Sequence, residues 1–442
     1  MSQPVEAFRN AMKIPELKQR IIFTLIILAV YRIGVVVPMP GIDGPALAQK
    51  MGGGSMLGLY NLFSGGALEQ ASIFSLGIMP YITVSIIISL LVAVIPSLEK
   101  LAKEGAEGQK KINEFTRYGT VVLSIIQSIG VAFMIQNMNT GGGPRIAPEP
   151  SLGYYLMCII TFTAGAVFIM WLGEQISEHG IGNGISLIIF VNIVSRMPQA
   201  LSSIVELWRN GDLDIIRILI MALLLTVVVA GVIMVIQGQR RVPIQYPRQV
   251  KGRKMFQGSR NYLPLRVNQA GVIPIIFASS ILMLPTSLAG AIGIPAVQNI
   301  VQHIGPGTIL HGVLYALLIV FFTYFYTAVT FNPIEIADNL KKYGGVVMGV
   351  RPGKATADYL NRVMIRITVV GALFLAIVAL LPEMVFYMLK IYDYQISSFF
   401  GGTSLLILVG VALDTVRQIE QHLVMRNYEG FMKGRRFRGR RA

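Results

Sequence analysis

The sequence predicts an all-α membrane protein: ten transmembrane helices in two inverted, pseudo-symmetric five-helix halves, with a re-entrant half-helix between the first two spans. Three observations predict it: composition, a series of apolar stretches, and an internal repeat. Hydrophobic residues make up 54% of the 442 positions and charged residues 14%, with a mean hydropathy of +0.63. A soluble domain carries about a quarter charged residues. A helical span needs about 20 apolar residues, and stretches of that order lie at 21–37, 76–96, 118–136, 152–173, 185–204, 213–236, 271–290, 311–331, 363–382 and 402–422. They are continuous rather than alternating, which favours helices over a β-barrel.

Taken in order, residues 1–20 form a basic N-terminal segment. The run at 21–37 is followed by no small-residue cleavage pattern and is interrupted by Tyr31-Arg32, so it reads as an uncleaved first helix and not a signal peptide. An arginine costs about 2.5–3.5 kcal/mol at a helix centre and less near an end. Residues 57–74, LGLYNLFSGGALEQASIF, are too polar to span and too apolar for an exposed loop. Gly65-Gly66 breaks them, and the true second span begins only after Gly77. One reading is a half-helix folded back into the membrane and enclosed by protein or lining a cavity. The other is an amphipathic helix on the outer surface.

Spans one to five make an N-terminal half, 21–204. The single cysteine, Cys158, lies in the fourth span, so a disulfide framework and a cysteine metal cluster are excluded. HGIGNGIS (179–186) lacks the strand and lysine of a phosphate cradle and reads as a tight turn capping the fifth span. Spans six to ten make a C-terminal half, 213–422, followed by a basic tail, 423–442. Two of its loops are long. The 237–270 loop has eight basic residues and no acid, and alternates β-formers with basic residues around Pro243, Pro247 and Pro264. That predicts a projecting hairpin, serving either protein docking or simple basic anchorage. The 332–362 loop shows no obvious helical pattern.

With the N-terminus inside, the cytoplasmic segments 1–20, 97–117, 174–184, 237–270, 332–366 and 417–442 hold 4, 5, 0, 8, 6 and 8 Lys and Arg, which is 31 of 38. The positive-inside rule then places both termini in the cytoplasm. Topology alone explains most of the net charge of +16, with attraction to anionic lipid adding about 1 kcal/mol per basic residue near the surface.

A shift of 194 residues aligns GIMPYITVSIII (77–88) with GVIPIIFASSIL (271–282), matching Gly77/Gly271, Pro80/Pro274, Ile82/Ile276, Ser85/Ser279 and Ile87/Ile281. A shift of 218 aligns GISLIIFV (184–191) with GTSLLILV (402–409), matching Gly184/Gly402, Ser186/Ser404, Leu187/Leu405, Ile189/Ile407 and Val191/Val409. The pairs join span two to seven and five to ten. Each pair runs in opposite directions, so the halves are inverted repeats with a pathway expected at their interface.

No Walker loop, H-E-x-x-H or G-x-S-x-G is present, and the sequence predicts no catalytic residue, cofactor site or metal site. The four histidines, His179, His303, His311 and His422, are scattered over loops and span ends, against a shared metal site. The middles of the spans lack Asp, Glu, Lys and His, which argues against an ion-coupled carrier, although backbone carbonyls can bind sodium. The repeat mates offer isoleucine instead: Ile82 with Ile276, Ile189 with Ile407, and a turn earlier Ile78 and Ile185. A ring of such side chains can close a pore by excluding water; equally, isoleucine is common filler in membrane helices. Thr83, Gln127 and Asn268 either bond across a helix seam, at about 0.6 kcal/mol each, or are ordinary packing contacts. An inverted-repeat secondary transporter is the alternative to a channel.

The strings YNLFSGGAL…ASIFSLGIMPYITVSIII, KEGAEGQKKINEFTRYGT, MWLGEQISEHGIGNGIS, VNQAGVIPIIFASS, FNPIEIADNL and FFGGTSLLI closely resemble the SecY family, main subunit of the bacterial protein-conducting channel. The resemblance runs from about residue 14 to the tail. It implies clam-like halves, an hourglass pore and a lateral gate opening to lipid. By family position the pore ring is Ile78, Ile82, Ile185, Ile189, Ile276 and Ile407. The broken segment Asn61–Ala71 is the plug, with Asn61, Phe63, Ser64, Gly65, Gly66 and Leu68. The gate lies between spans two–three and seven–eight, with Thr83, Gln127 and Asn268 in its polar seam. Arg253, Lys254 and Arg351 take the loop tips that meet the ribosome or the SecA motor. One departure is visible: the family's usual Pro-Gly before the loop arginine is Met348-Gly349. The implied function is to pass unfolded preproteins across the bacterial cytoplasmic membrane and release hydrophobic segments laterally. Implied partners are SecE and SecG in a heterotrimer, the SecA ATPase, the ribosome, preprotein signal sequences and membrane lipids, with no nucleic-acid specificity beyond contact with ribosomal RNA.

Overall fold

A computed structural model of the protein describes residues 14–51, 64–139, 146–246, 249–251, 254–256, 260–292, 308–389, 396 and 399–434. Ten long helices follow one another: span one Pro15–Val36, two Met79–Val94, three Ala106–Asn139, four Leu152–His179, five Gly184–Arg209, six Ile215–Gln237, seven Ile273–Ile292, eight Ile309–Thr330, nine Lys354–Met388 and ten Gly402–Gly434. Each expected apolar stretch falls on one of them. Helices three, nine and ten run well past their expected limits of 118, 363 and 422. The apolar run marks only the hydrocarbon-facing part, whereas polar turns such as Lys110-Lys111-Ile112-Asn113-Glu114 continue the same backbone hydrogen bonding into water. After span two the chain bends by 100° into a short helix, Pro96–Lys103, because Pro96 cannot continue the ladder.

The packing of the two halves follows one plan. Span three lies against two and four, and span four also against one and five. In the second half span eight lies against seven and nine, and nine also against six and ten. The halves meet where span five touches ten and where span seven touches two and three.

The repeat residues explain why both halves fold alike. Gly77 and Gly271 have φ of 56° and 61°, a left-handed conformation that suits glycine. Each starts a span that carries a proline, Pro80 or Pro274, in its first turn, where a missing N–H costs nothing. Gly184 and Gly402 open spans five and ten. A Cβ on Gly184 would collide with the carbonyl oxygen of Gly173 in span four, and one on Gly402 with that of Val378 in span nine. Small residues let membrane helices approach closely, and here one close approach occurs twice.

The 237–270 loop is the projecting hairpin that its pattern predicts. Strand β1 (Gln239–Gln245) pairs antiparallel with β4 (Arg260–Arg266), with Gln239 opposite Arg266 and Gln245 opposite Arg260; β2 (Gln249–Lys251) pairs with β3 (Lys254–Phe256) beyond them. The 332–362 loop, in contrast, holds more structure than its sequence pattern indicates. Asn332 Oδ1 accepts from the N–H groups of Ile334 (3.2 Å) and Glu335 (3.3 Å) and caps a helix, Pro333–Lys342. Ten residues are too few for a clear periodic signal, which leaves this helix hidden in the sequence. Strand β5 (Val346–Val347) then adds to β1, placing Val347 opposite Ile244. Val242, Ile244, Leu265, Leu340, Val347 and Leu360 bury together, so the two long loops form one folded unit on the face opposite the loop between spans one and two.

Overpacking a tight contact costs about 1–3 kcal/mol. Gly184→Ala and Gly402→Ala are each expected to lower the thermal unfolding midpoint in detergent. Gly312→Ala in span eight, whose added Cβ would meet Leu380 at an ordinary 3.6 Å, is the control and is expected to be neutral or slightly stabilising.

Candidate functional site

The ring candidates sit at the beginnings of four helices. Ile78 immediately precedes span two and Ile82 is in its first turn; Ile185 and Ile189 lie in the first two turns of span five, Ile276 in the first of span seven and Ile407 in the second of span ten. Spans two and ten start on one face of the bundle, and five and seven on the other. The inverted repeat therefore supplies isoleucines from both directions. Ile78, Ile82, Ile189, Ile276 and Ile407 are buried and Ile185 is half-buried. All six belong to a single apolar core continuous across both halves.

Against the same core lies the segment between spans one and two. From Gly65 to Gly77 its backbone is a chain of tight turns, with left-handed Gly65, Gly66, Ala71 and Gly77. Asn61 and Phe63 of the expected half-helix, 57–74, lie outside the described residues, and from Gly65 on that range is turns where a helix was expected. Ser75 Oγ donates to Ser72 O at 2.6 Å, Ser72 N to Ala67 O at 2.9 Å, and Phe74 N to Ser72 Oγ at 3.0 Å. The turns thus satisfy backbone groups that hydrocarbon could not. Two further bonds tie the segment to the chain leaving span one: Met39 N to Ala71 O (2.8 Å) and Ile73 N to Val37 O (3.1 Å). Phe74 stacks between Tyr31 and Phe168, and Gly34 and Gly165 lie so close that a Cβ on either would overlap Phe74 or the Ile73 carbonyl oxygen. Ser64, Gly65 and Leu68 are buried, with Gly66 half-buried. Re-entrant, protein-enclosed backbone fits this packing, though as turns and not as helix; a helix lying on the outer surface does not.

Thr83 on span two, Gln127 on span three and Asn268 just before span seven are all buried. Asn268 Nδ2 donates locally to Gly271 O at 2.8 Å. Neither Asn268 Oδ1 nor Gln127 Oε1 has a partner among the described residues, so neither oxygen accepts a bond across the seam from them. On the hairpin side, a cavity of about 350 Å³ opens beside Asn183, Arg266, Asn268, Asp414 and Arg417.

HGIGNGIS forms the expected cap: Asn183 Oδ1 accepts from Ser186 N at 3.1 Å, and Gly182 N donates to Gln418 Oε1 of span ten at 2.8 Å. Among the docking candidates, Arg351 is exposed and Lys254 opens strand β3, while Arg253 lies outside the described residues. Val350 N donates to Val347 O at 3.1 Å around Met348-Gly349, with Gly349 at φ 80°. A type II turn requires glycine at that third position and merely favours proline at the second, so methionine there preserves the turn.

One residue departs from the expectation of charge-free spans. Arg196 lies twelve residues into span five and is only 7% exposed. Its sequence signal is an arginine within the apolar run 185–204.

The SecY family model matches residues 72–416. Two proteins named Protein translocase subunit SecY are similar along nearly the whole chain. That of Aquifex aeolicus (strain VF5) is 42% identical over 431 residues, covering 97% of this chain and 99% of its own. That of Escherichia coli (strain K12) is 45% identical over 430 residues, covering 96% of each. Among solved structures, one describing how the plug domain of SecY stabilises the closed state of the translocation channel has a TM-score of 0.65 at 17% identity, covering 94% of this chain and 96% of that one. Sec61 in a canine ribosome-channel complex has a TM-score of 0.63 at 17% identity, with the same coverage. At these identities the structures speak for the fold alone.

A buried acceptor without a partner costs about 1–3 kcal/mol. Gln127→Leu, which removes one at similar volume, is expected to raise the thermal unfolding midpoint; differential scanning in detergent measures it, and an unchanged or lower midpoint contradicts the assignment of that cost.

Proposed function

This chain belongs to the SecY family and is the pore-forming subunit of a protein translocation channel, a multi-pass membrane protein, and from that premise we propose how its residues conduct and seal. The secondary-transporter reading is withdrawn, because the relatives matched along the whole chain are translocase subunits. The observation that carries the proposal is the single apolar core shared by both halves, which includes all six ring isoleucines and Leu68, Ala71 and Phe74 of the turn segment.

Ile78, Ile82, Ile185, Ile189, Ile276 and Ile407 act as a collar that excludes water and ions at rest and fits around an extended peptide when open. The segment 57–74, including Asn61, Phe63, Ser64, Gly65, Gly66 and Leu68, acts as the plug, and its described part, from Ser64 on, packs into the same core as the collar. Spans two, three and seven, in mutual contact, form the closed lateral gate, and an apolar signal segment opens it by exchanging helix contacts for contacts with itself and lipid. The unpaired oxygens of Gln127 and Asn268 support this reading, since they weaken the closed seam. Energy comes from a cytoplasmic partner.

The folded unit of the two long loops, which carries Lys254 and Arg351, is the docking surface for the ribosome or the SecA motor, and Arg253 is assigned to it by family position. The resemblance to a channel solved in a ribosome complex and the basic charge of the hairpin support it. SecE and SecG complete the channel. The distribution of basic residues supports cytoplasmic termini in a bacterial inner membrane.

Truncating a buried isoleucine removes about 2–5 kcal/mol of packing. Ile276→Ser and Ile407→Gly are expected to raise resting ion conductance in planar bilayers; unchanged conductance and closed-state occupancy count against the collar. Charge reversal at Arg253, Lys254 and Arg351 together is expected to cut partner-driven translocation of a preprotein, measured by protease protection, while leaving the thermal unfolding midpoint unchanged. Wild-type translocation rates would remove the docking assignment.

A further inference from the structure

The turn segment is bonded by two arginines, one from span one and one from span five, beside a Tyr31–Asn192 bond that joins those two helices. On span one, Tyr31 OH donates to Asn192 Oδ1 of span five at 2.9 Å, and Arg32 Nη1 donates to Gly65 O at 3.3 Å. One helical turn beyond Asn192, on the same face of span five, Arg196 Nη2 reaches Glu69 Oε2 at 3.4 Å. The fit depends on Gly65: a Cβ there would fall on Asn192 Oδ1 and lie 3.1 Å from Arg32 Nη1. Gly66 beside it takes a left-handed φ of 92° that suits glycine.

The pair is asymmetric. The Arg196 side chain is 8% exposed and that of Glu69 36%, so the cation is fixed in the protein and its carboxylate partner rides on the segment. A buried charge that loses its partner is strongly disfavoured, and Arg32 half-buries a second cation close by. Withdrawal of the segment leaves two guanidiniums in a poorly solvated site without the carboxylate and carbonyl that faced them.

We propose that Tyr31, Arg32, Asn192 and Arg196 form a latch on Gly65–Glu69, and that the Arg196–Glu69 ion pair sets the threshold for opening. This rests on the reading of the segment as the plug. The latch makes opening cost an ion pair in addition to apolar contacts, so a weak signal segment leaves the channel shut while a strong one opens it.

The test uses the purified channel complex in planar bilayers without preprotein, scoring resting open probability from dwell times, for wild type, Glu69→Gln and a deletion of Gly65–Gln70. Glu69→Gln changes a partly exposed residue and keeps its shape. It is expected to raise open probability on the order of tenfold. Raising the salt concentration is expected to increase open probability in wild type, because the pair is partly screened, and to have little effect in Glu69→Gln. If the deletion raises open probability but Glu69→Gln behaves as wild type at every salt concentration, the latch is wrong and the plug reading stands. Equal salt dependence in wild type and Glu69→Gln also overturns the latch. If the deletion too leaves the channel shut, the plug reading itself fails and the latch falls with it.

Discussion

Non-helical backbone inside a membrane bundle is the constraint on which the rest of this structure depends. Hydrocarbon offers no hydrogen bonds, so the turns from Gly65 to Gly77 exist only because protein encloses them. Internal bonds from Ser72 and Ser75, the edge pairing of Met39 and Ile73, and close contact with Gly34 and Gly165 all serve that enclosure. Ala71, a residue with a side chain at φ 47°, holds a conformation that persists only when its surroundings impose it. The enclosure also fixes where span two starts. Because the turns occupy the space before it, Met79 opens the helix, and Ile78 and Ile82 arrive at its buried end.

Inverted symmetry then turns one solution into two. Gly77 and Gly271 make the same left-handed entry, and Gly184 and Gly402 the same close approach to a neighbouring carbonyl. Each half is packed by its own helices, while spans five and ten, and seven with two and three, supply the contact between halves. A chain built this way can hold two rigid bodies and part them along one seam. The second half adds what the first lacks, a folded unit of hairpin, capped helix and β5 facing the opposite side. Its small apolar core is separate from the main one, so a load on the unit need not disturb the seal.

The spans were legible because burial in lipid leaves a composition signal in every residue of a helix. The repeat was legible because Gly77/Gly271 and Gly184/Gly402 meet backbone requirements that few residues satisfy. The helix Pro333–Lys342 was not legible, since ten residues stabilised by Asn332 and by tertiary contacts with Leu340 carry little periodicity. Polar extensions of spans three, nine and ten were missed for a related reason: hydropathy reports the membrane, and the helix continues beyond it. Arg196 was harder still. Its charge was visible in span five, but its partner Glu69 lies 127 residues away on a turn segment, and only the fold brings them together.

Polar groups act on the closed state in opposite directions at the two sites where it must give way. At the gate, Gln127 Oε1 and Asn268 Oδ1 are buried without partners among the described residues, and burying such oxygens destabilises the closed seam. At the turn segment, Arg32 Nη1 and Arg196 Nη2 find partners on Gly65 and Glu69, although Arg196 Nε has none among the described residues. An all-apolar channel would have no such opposition, because its closed state could be tuned only by area and shape. On the proposed assignment, the unpartnered oxygens weaken the gate and the Arg196–Glu69 pair strengthens the plug.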